Sequence, residues 1–286
     1  MTFPLKAALL LMAAALSLEA ALSAWRGLRL FRLRDTLTNV AMYAGYLAVI
    51  LFWGQVTYFA YDAVHEYALF DLGMEGPLAR LWAPAPWILL AVLEELTFYA
   101  FHRASHRCSL LWAAHQAHHS SDRFNLSTAL RQSWAPFLAT PFWLPLPWLG
   151  FDPAMVLWVQ GLSLLYQFFL HTELVPSFGP LDGILNSPHH HRAHHGRAER
   201  FHDRNFGGWS IVWDRLFGSF TAAQPEAYGI GDAAPAGPLS AELGPWLRLG
   251  RDALHAGSLL AAGRAVLGRP GGASNSLTPA PRSLAP

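Results

Sequence analysis

The chain has 286 residues, 53% of them hydrophobic and 14% charged, with a mean hydropathy of +0.23. Soluble domains carry about 25% charged residues, so this composition argues against a soluble enzyme and against a disordered chain. A formal net charge of +1 excludes the basic footprint of a nucleic-acid binder, and a single cysteine, Cys108, excludes an intrachain disulfide and a cysteine-based metal cluster.

Apolar runs set the predicted elements. Leu5 to Trp25 is long enough to cross a bilayer, which takes about 20 residues. Its length and its lone Lys6 fit a cleaved signal peptide poorly. Val40 to Tyr61 and Pro84 to Phe101 are the second and third runs, and Trp134 to Leu170 is long enough for two crossings broken at Leu144–Pro153. The spacing therefore predicts an all-α membrane bundle of about four to five spanning helices. Beyond Phe220 the chain is rich in Ala, Pro and Gly. Leu243 to Val266 is expected to form one amphipathic helix with Arg248, Arg251 and Arg264, lying on the membrane surface, and the tail from Gly268 is expected to be disordered. The expected divisions are 1–38 (first membrane helix and basic loop), 39–220 (catalytic membrane domain), 221–267 (linker and amphipathic helix) and 268–286 (tail).

Charge orients the runs. Arg26, Arg29, Arg32 and Arg34 follow the first, Asp62, Glu66, Asp71 and Glu75 follow the second, and Arg103, Arg107, Arg123 and Arg131 follow the third. Basic loops stay cytoplasmic, so His102–His119, His171 and His189–His202 are expected on that one side.

Fourteen histidines need a cause of their own. His102 and His106 form H-x3-H. His115, His118 and His119 form H-x2-HH. His189 to His195 is a run ending in a second H-x2-HH of His191, His194 and His195, while His171 stands alone after the fifth run. Residues three and four apart share a helix face, so each cluster is expected to aim two or three imidazoles one way. Imidazole is the commonest metal ligand. Nine convergent rings exceed one coordination shell and suit two ions with four or five histidines each. His65 and His255 read as surface residues, His202 as surface or supporting, and His189 as a spare. Glu95 and Tyr99, seven and three residues before His102, and Gln167, four before His171, are expected to support the ligands, Glu95 by accepting an imidazole N–H. An acidic residue inside an apolar run is costly and usually functional; Glu94 beside it reads equally well as a helix-end residue.

These clusters and their flanks resemble a known family. Phe101–His106, Leu111–Ser121, Asn125–Ser133, Leu165–Glu173 and the block Asn186–Gly196 through Trp213–Gly218 are similar to the fatty acid hydroxylase/sterol desaturase superfamily of membrane di-iron oxygenases. Within it they resemble the branch containing alkylglycerol monooxygenase. The likeness covers roughly residues 40–220. It implies a helical bundle capped by a cytosolic histidine-rich di-metal domain. It also implies two Fe ions, O2, and hydroxylation or desaturation of an unactivated C–H bond in a lipid such as a sterol, fatty acyl chain or alkylglycerol ether lipid. The implied ligands are His102, His106, His115, His118, His119, His171, His191, His194 and His195, with His190 as a candidate tenth. Asn186, Asp203 and Asn205 are expected to hold the third cluster by hydrogen bonds, Asp203 joining Glu95, Tyr99 and Gln167 as supporting catalytic groups. The implied partners are a bilayer lipid substrate, membrane lipids and an electron donor such as a pterin, a ferredoxin or a cytochrome b5-like protein, with no nucleic acid. The implied location is a multi-pass membrane protein with its metal site on the cytoplasmic side, in a bacterial inner membrane or, in a eukaryote, the endoplasmic reticulum. A membrane metal transporter would instead place ligands near the bilayer midplane, and a zinc-dependent lipid hydrolase would need an open zinc position and a general base.

Overall fold

A computed structural model describes residues 4–231 and 235–271. Its helices are α1 (Leu5–Trp25), α2 (Leu33–His65), α3 (Pro77–Leu81), α4 (Ala85–Arg107), α5 (Ser109–His119), α6 (Thr140–Trp143), α7 (Pro145–Leu149), α8 (Pro153–Phe168), α9 (Pro188–His194), α10 (Val212–Leu216), α11 (Pro238–Leu254) and α12 (Leu259–Leu267). Among the described residues there is no strand, only two isolated bridges, Leu185 with Ser210 and Gly196 with Tyr228.

Among the described residues two helices are long and apolar enough to cross a membrane, α1 and α2, with mean hydropathies of 1.9 and 1.5 over their most apolar stretches. Only 17% and 11% of those stretches are buried. A core helix of a soluble protein would hide its apolar face, whereas these two leave Leu10, Leu18, Leu51, Phe52 and Phe59 bare. The third run becomes α4, 23 residues long, with Glu94 and Glu95 buried in it.

The fourth run does not form one helix. Pro136, Pro141, Pro145 and Pro147 fall through it, and each removes a backbone donor, so Thr140–Leu149 folds as four- and five-residue pieces. Gly150 closes them at φ +117°, where a Cβ would strike the Phe70 carbonyl. The fifth run begins cleanly as α8. The Asp152 carboxylate accepts from Ala154 N at 2.7 Å, and Pro153 fills the first turn. At 16 residues, α8 rises about 24 Å. The apolar core joins Tyr61 of α2, Leu90 and Phe98 of α4, Trp143, Leu146 and Phe151, and Met155, Val156 and Val159 of α8.

The expected single helix from 243 to 266 is two. Gly257 takes φ +71°, and the Ser258 hydroxyl caps α12 by accepting from Ala261 N at 3.1 Å. The expected disorder of the tail concerns residues that, from 272 on, lie outside the described ones.

Candidate metal centre

Nine imidazoles converge in two groups. His102, His106, His115, His119 and His194 form one; His118, His171, His191 and His195 form the other. Within each, the ligand nitrogens lie within 4.8 Å of one another. Helix α4 serves only the five-ring group and the turn after α8 only the four-ring group, while α5 and α9 with its cap serve both.

The split follows helix geometry. In α5, His115 and His119 go to the five-ring group and His118 to the other; in α9 and its cap, His191 and His195 go to the four-ring group and His194 crosses over. Each H-x2-HH motif thus sends its i,i+4 pair one way and its middle histidine the other. The two motifs do so in opposite senses. Adjacent helical positions differ by about 100°, which turns His118 and His119 apart. The expectation that residues three apart aim together is corrected here; only those four apart do.

Backbone carbonyls orient the rings. The Nδ1–H of His102 donates to Phe206 O at 2.8 Å, that of His194 to Arg204 O at 2.7 Å, and that of His171 to Gln167 O at 2.9 Å. A carbonyl only accepts, so each of these rings is protonated at Nδ1 and presents a bare Nε2 lone pair inward. There the Nε2 atoms crowd together: His102 and His115 at 3.0 Å, His115 and His119 at 3.0 Å, His119 and His194 at 3.2 Å, His171 and His118 at 3.2 Å, His171 and His191 at 3.0 Å. The Nε2 atoms of His106 and His195 are buried without a partner. Converging lone pairs in a dry interior cost free energy until a cation joins them, so the donor sets fit metal ions. Burial and neighbouring imidazoles hold His115, His118, His119, His191 and His195 well below the usual histidine range, and burial takes His171 down to about 3 and His194 to about 4. Neutral rings are the form that binds metal.

One buried phenylalanine walls each group. Phe206 lies against His102, His106 and His194 at centroid distances of 5.3–6.0 Å. Phe124 stacks on His171 at 5.5 Å and leans on His191 and His195.

The segment 203–210 fixes the five-ring group, since it supplies both the Arg204 and Phe206 carbonyls. Asp203 and Asn205 adopt positive φ, 59° and 53°, bending it around the rings. Asn205 Nδ2 donates to His190 O and Thr221 O, at 2.9 and 2.8 Å, and its Oδ1 accepts from Thr221 N. The Asp214 carboxylate accepts from Phe206 N and Gly207 N, both at 2.8 Å. Asn186 Nδ2 donates to the carbonyls of Gly207 and Gly208. Glu95 accepts three amides: Gly208 at 2.8 Å, Trp209 at 2.9 Å and Ser210 at 3.1 Å.

That arrangement corrects several expectations. Glu95 spends its oxygens on this segment rather than on an imidazole, because Phe206 O already occupies the His102 N–H. Gln167 supports His171 through its backbone carbonyl, its side chain donating to Ser163 Oγ at 3.1 Å. Tyr99 faces away from the nitrogens, its hydroxyl 2.9 Å from Ser219 Oγ and 2.7 Å from Arg103 Nη1. Asp203 pairs with Arg107 at 3.2 Å. His190 is buried against Phe220, outside both groups, although it sits in the same run.

Other supports went unread in the sequence. Arg192 donates to the carbonyls of Thr172, Val175 and Pro176 at 2.8–3.0 Å, tying down the strand of chain after His171. Arg131, counted above as a loop charge, is 1% exposed and bonded to Asp35, Asn39 and Ser120. It locks the start of α2 to the turn after α5. Glu19, inside the first apolar run, is buried and accepts from Leu126 N at 2.7 Å and from the Thr172 hydroxyl.

Residues 87–219 match the fatty acid hydroxylase family, and that segment contains all nine converging histidines. The chain belongs to this superfamily. It is 39% identical to alkylglycerol monooxygenase of Homo sapiens over 204 residues, covering 70% of this chain and 44% of that one. It is 44% identical to alkylglycerol monooxygenase of Danio rerio over 159 residues, 55% of this chain and 35% of that one. It is 30% identical to the ornithine lipid hydroxylase OlsE of Rhizobium tropici over 157 residues, 52% of this chain and 46% of that one. The chain thus spans less than half the length of these curated relatives. No solved structure matches.

Proposed function

We propose that this chain is a membrane di-iron oxygenase that hydroxylates an unactivated C–H bond in the apolar chain of a bilayer lipid. The observation that carries the reading is the pair of buried, all-imidazole donor sets built reciprocally from α5 and α9. Iron held there would supply O2 activation, with two electrons from an external reductant, one oxygen atom entering the lipid and the other leaving as water. Names of relatives that end in monooxygenase and hydroxylase favour oxygen insertion over desaturation.

The protein's share is position and exclusion. The carbonyls of Arg204, Phe206 and Gln167 hold three rings in the ligand tautomer. Phe206 and Phe124 keep water off the donors. The exposed apolar faces of α1 and α2 reach into the bilayer, which holds the substrate. Helix α4 is a third crossing that delivers His102 and His106 at its end, and α6 to α8 pack beside it without needing two full spans. The basic stretch Arg26–Arg34 supports a cytoplasmic face for the imidazoles. Neither donor set contains the carboxylate base a zinc hydrolase would use.

Metal analysis of the purified protein is expected to give about two irons per chain, the number of donor sets. Cells expressing it should accumulate a hydroxylated lipid that cells with His118→Ala/His194→Ala lack. Normal lipid oxidation by that double variant would refute the chemistry. Reporter fusions after Arg107 and after Gly196 should both read cytoplasmic.

A further inference from the structure

Helices α11 and α12 lie outside the segment that matches the family, and their inner and outer faces differ sharply. Inward, Ala241 packs with Met42 of α2 and Ala117 of α5. Glu242 accepts from Ser133 Oγ at 3.0 Å and Trp134 N at 3.1 Å, and Arg248 donates to Gln116 of α5 at 3.0 Å. After α12, Gly268 O accepts both the amide and the hydroxyl of Ser109, at 2.9 and 3.0 Å. The pair of helices is thus strapped across α5, which carries three of the nine imidazoles.

Outward, both helices show leucine. Leu239, Leu243, Leu247 and Leu254 are exposed on α11, Leu254 at 87%; Leu259, Leu260 and Leu267 are exposed on α12, Leu259 at 94%. At about 100° per residue the four on α11 fall within roughly 80°, and the three on α12 within about 100°. Arg251 and Arg264 flank these sectors, and both are exposed. A face this apolar, edged by arginine and set on a helix too polar to span, fits the headgroup boundary of a bilayer. Its place in the fold agrees. Arg34, at the basic end of α2, donates to Ala236 O at 2.7 Å just before α11 begins, and Leu33 and Leu37 of α2 are exposed beside it. The exposed leucines therefore continue the lipid-facing surface of α2 at its cytoplasmic end. Arg248, Arg251, Arg264 and Arg269 against Asp252 give the exposed side of this segment a positive excess, which acidic headgroups complement.

We propose that α11 and α12 form an in-plane anchor that rests on acidic inner-leaflet lipid and presses α5 into register over the two imidazole groups. The anchor rests on the reading that α1 and α2 cross the bilayer. The test places a spin label at Leu247→Cys or Leu254→Cys in the full-length Cys108→Ser chain, in phosphatidylcholine nanodiscs with and without phosphatidylglycerol. Contact with O2 and with a water-soluble nickel chelate is compared at each site, against a label at Leu51→Cys in α2 and one at Glu199→Cys on the surface. Both anchor labels are expected to be rich in O2 contact and poor in nickel contact. Phosphatidylglycerol should deepen them severalfold, an increment that Arg251→Gln/Arg264→Gln abolishes. Nickel contact equal to that at Glu199→Cys would overturn the anchor while Leu51→Cys stays protected. Protection accompanied by dipolar broadening between labels would overturn it in favour of a second copy of the chain. Water-like contact at Leu51→Cys would remove the spanning reading itself.

Discussion

The two imidazole groups are built from the same motifs yet held differently. The five-ring group hangs on a long-range clamp: segment 203–210 provides its carbonyls, Asp214, Asn186 and Glu95 grip that segment, and its own Asn205 ties it to His190 O and Thr221. The four-ring group is held locally, His171 by a carbonyl four residues earlier and the chain beyond it by Arg192. It also has one ligand fewer to lose. The five-ring group should therefore tolerate loss of a ring but not of its loop, and the four-ring group should tolerate no loss of a ring.

The largest effect is expected at His118→Ala. It leaves three rings in the four-ring group, so one iron should be lost per chain and lipid oxidation should fall by more than ~100-fold, since even supporting partners are worth 10–100-fold. His115→Ala leaves four rings in its group and should keep more iron than His118→Ala by metal analysis. Equal loss in both would erase the contrast. Phe206→Ala comes next. It opens a cavity beside three rings and should destabilise by about 3–5 kcal/mol, with thermal unfolding and iron content both falling. Asp214→Ala and Glu95→Ala strand buried amides at about 1–3 kcal/mol each. Iron loss in these two is expected from the five-ring group alone, read by X-ray absorption as a drop in that site's share, whereas Arg192→Ala should weaken the four-ring group. Smallest is Asp203→Asn, which keeps a residue suited to the positive φ, removes the charge from a pair about one-third exposed on both sides and should cost no more than about 1 kcal/mol. His190→Ala, likewise, should leave the iron count unchanged.

Much of the centre was legible from spacing. The i,i+4 pairs His102/His106, His115/His119 and His191/His195 each stay together, as one helical turn requires. The assignment of His118 and His194 to opposite groups was not legible, because it depends on how α5 and α9 cross. Nor was the role of Glu95. Its partners lie 113 to 115 residues away and are backbone amides, which leave no side-chain signature. Arg131 and Glu19 look like a loop charge and a blemish in an apolar run. Only packing shows them as buried ties between the first two helices and the metal-site loops. The broken fourth run was readable in its prolines, yet overall apolarity masked them.

The most direct measurement is anomalous scattering at the iron edge from the purified, metal-bearing protein. Two peaks are expected, one ringed by His102, His106, His115, His119 and His194 and one by His118, His171, His191 and His195. A single peak, a peak bound by Glu95 or His190, or His118 and His119 sharing one ion would contradict the account.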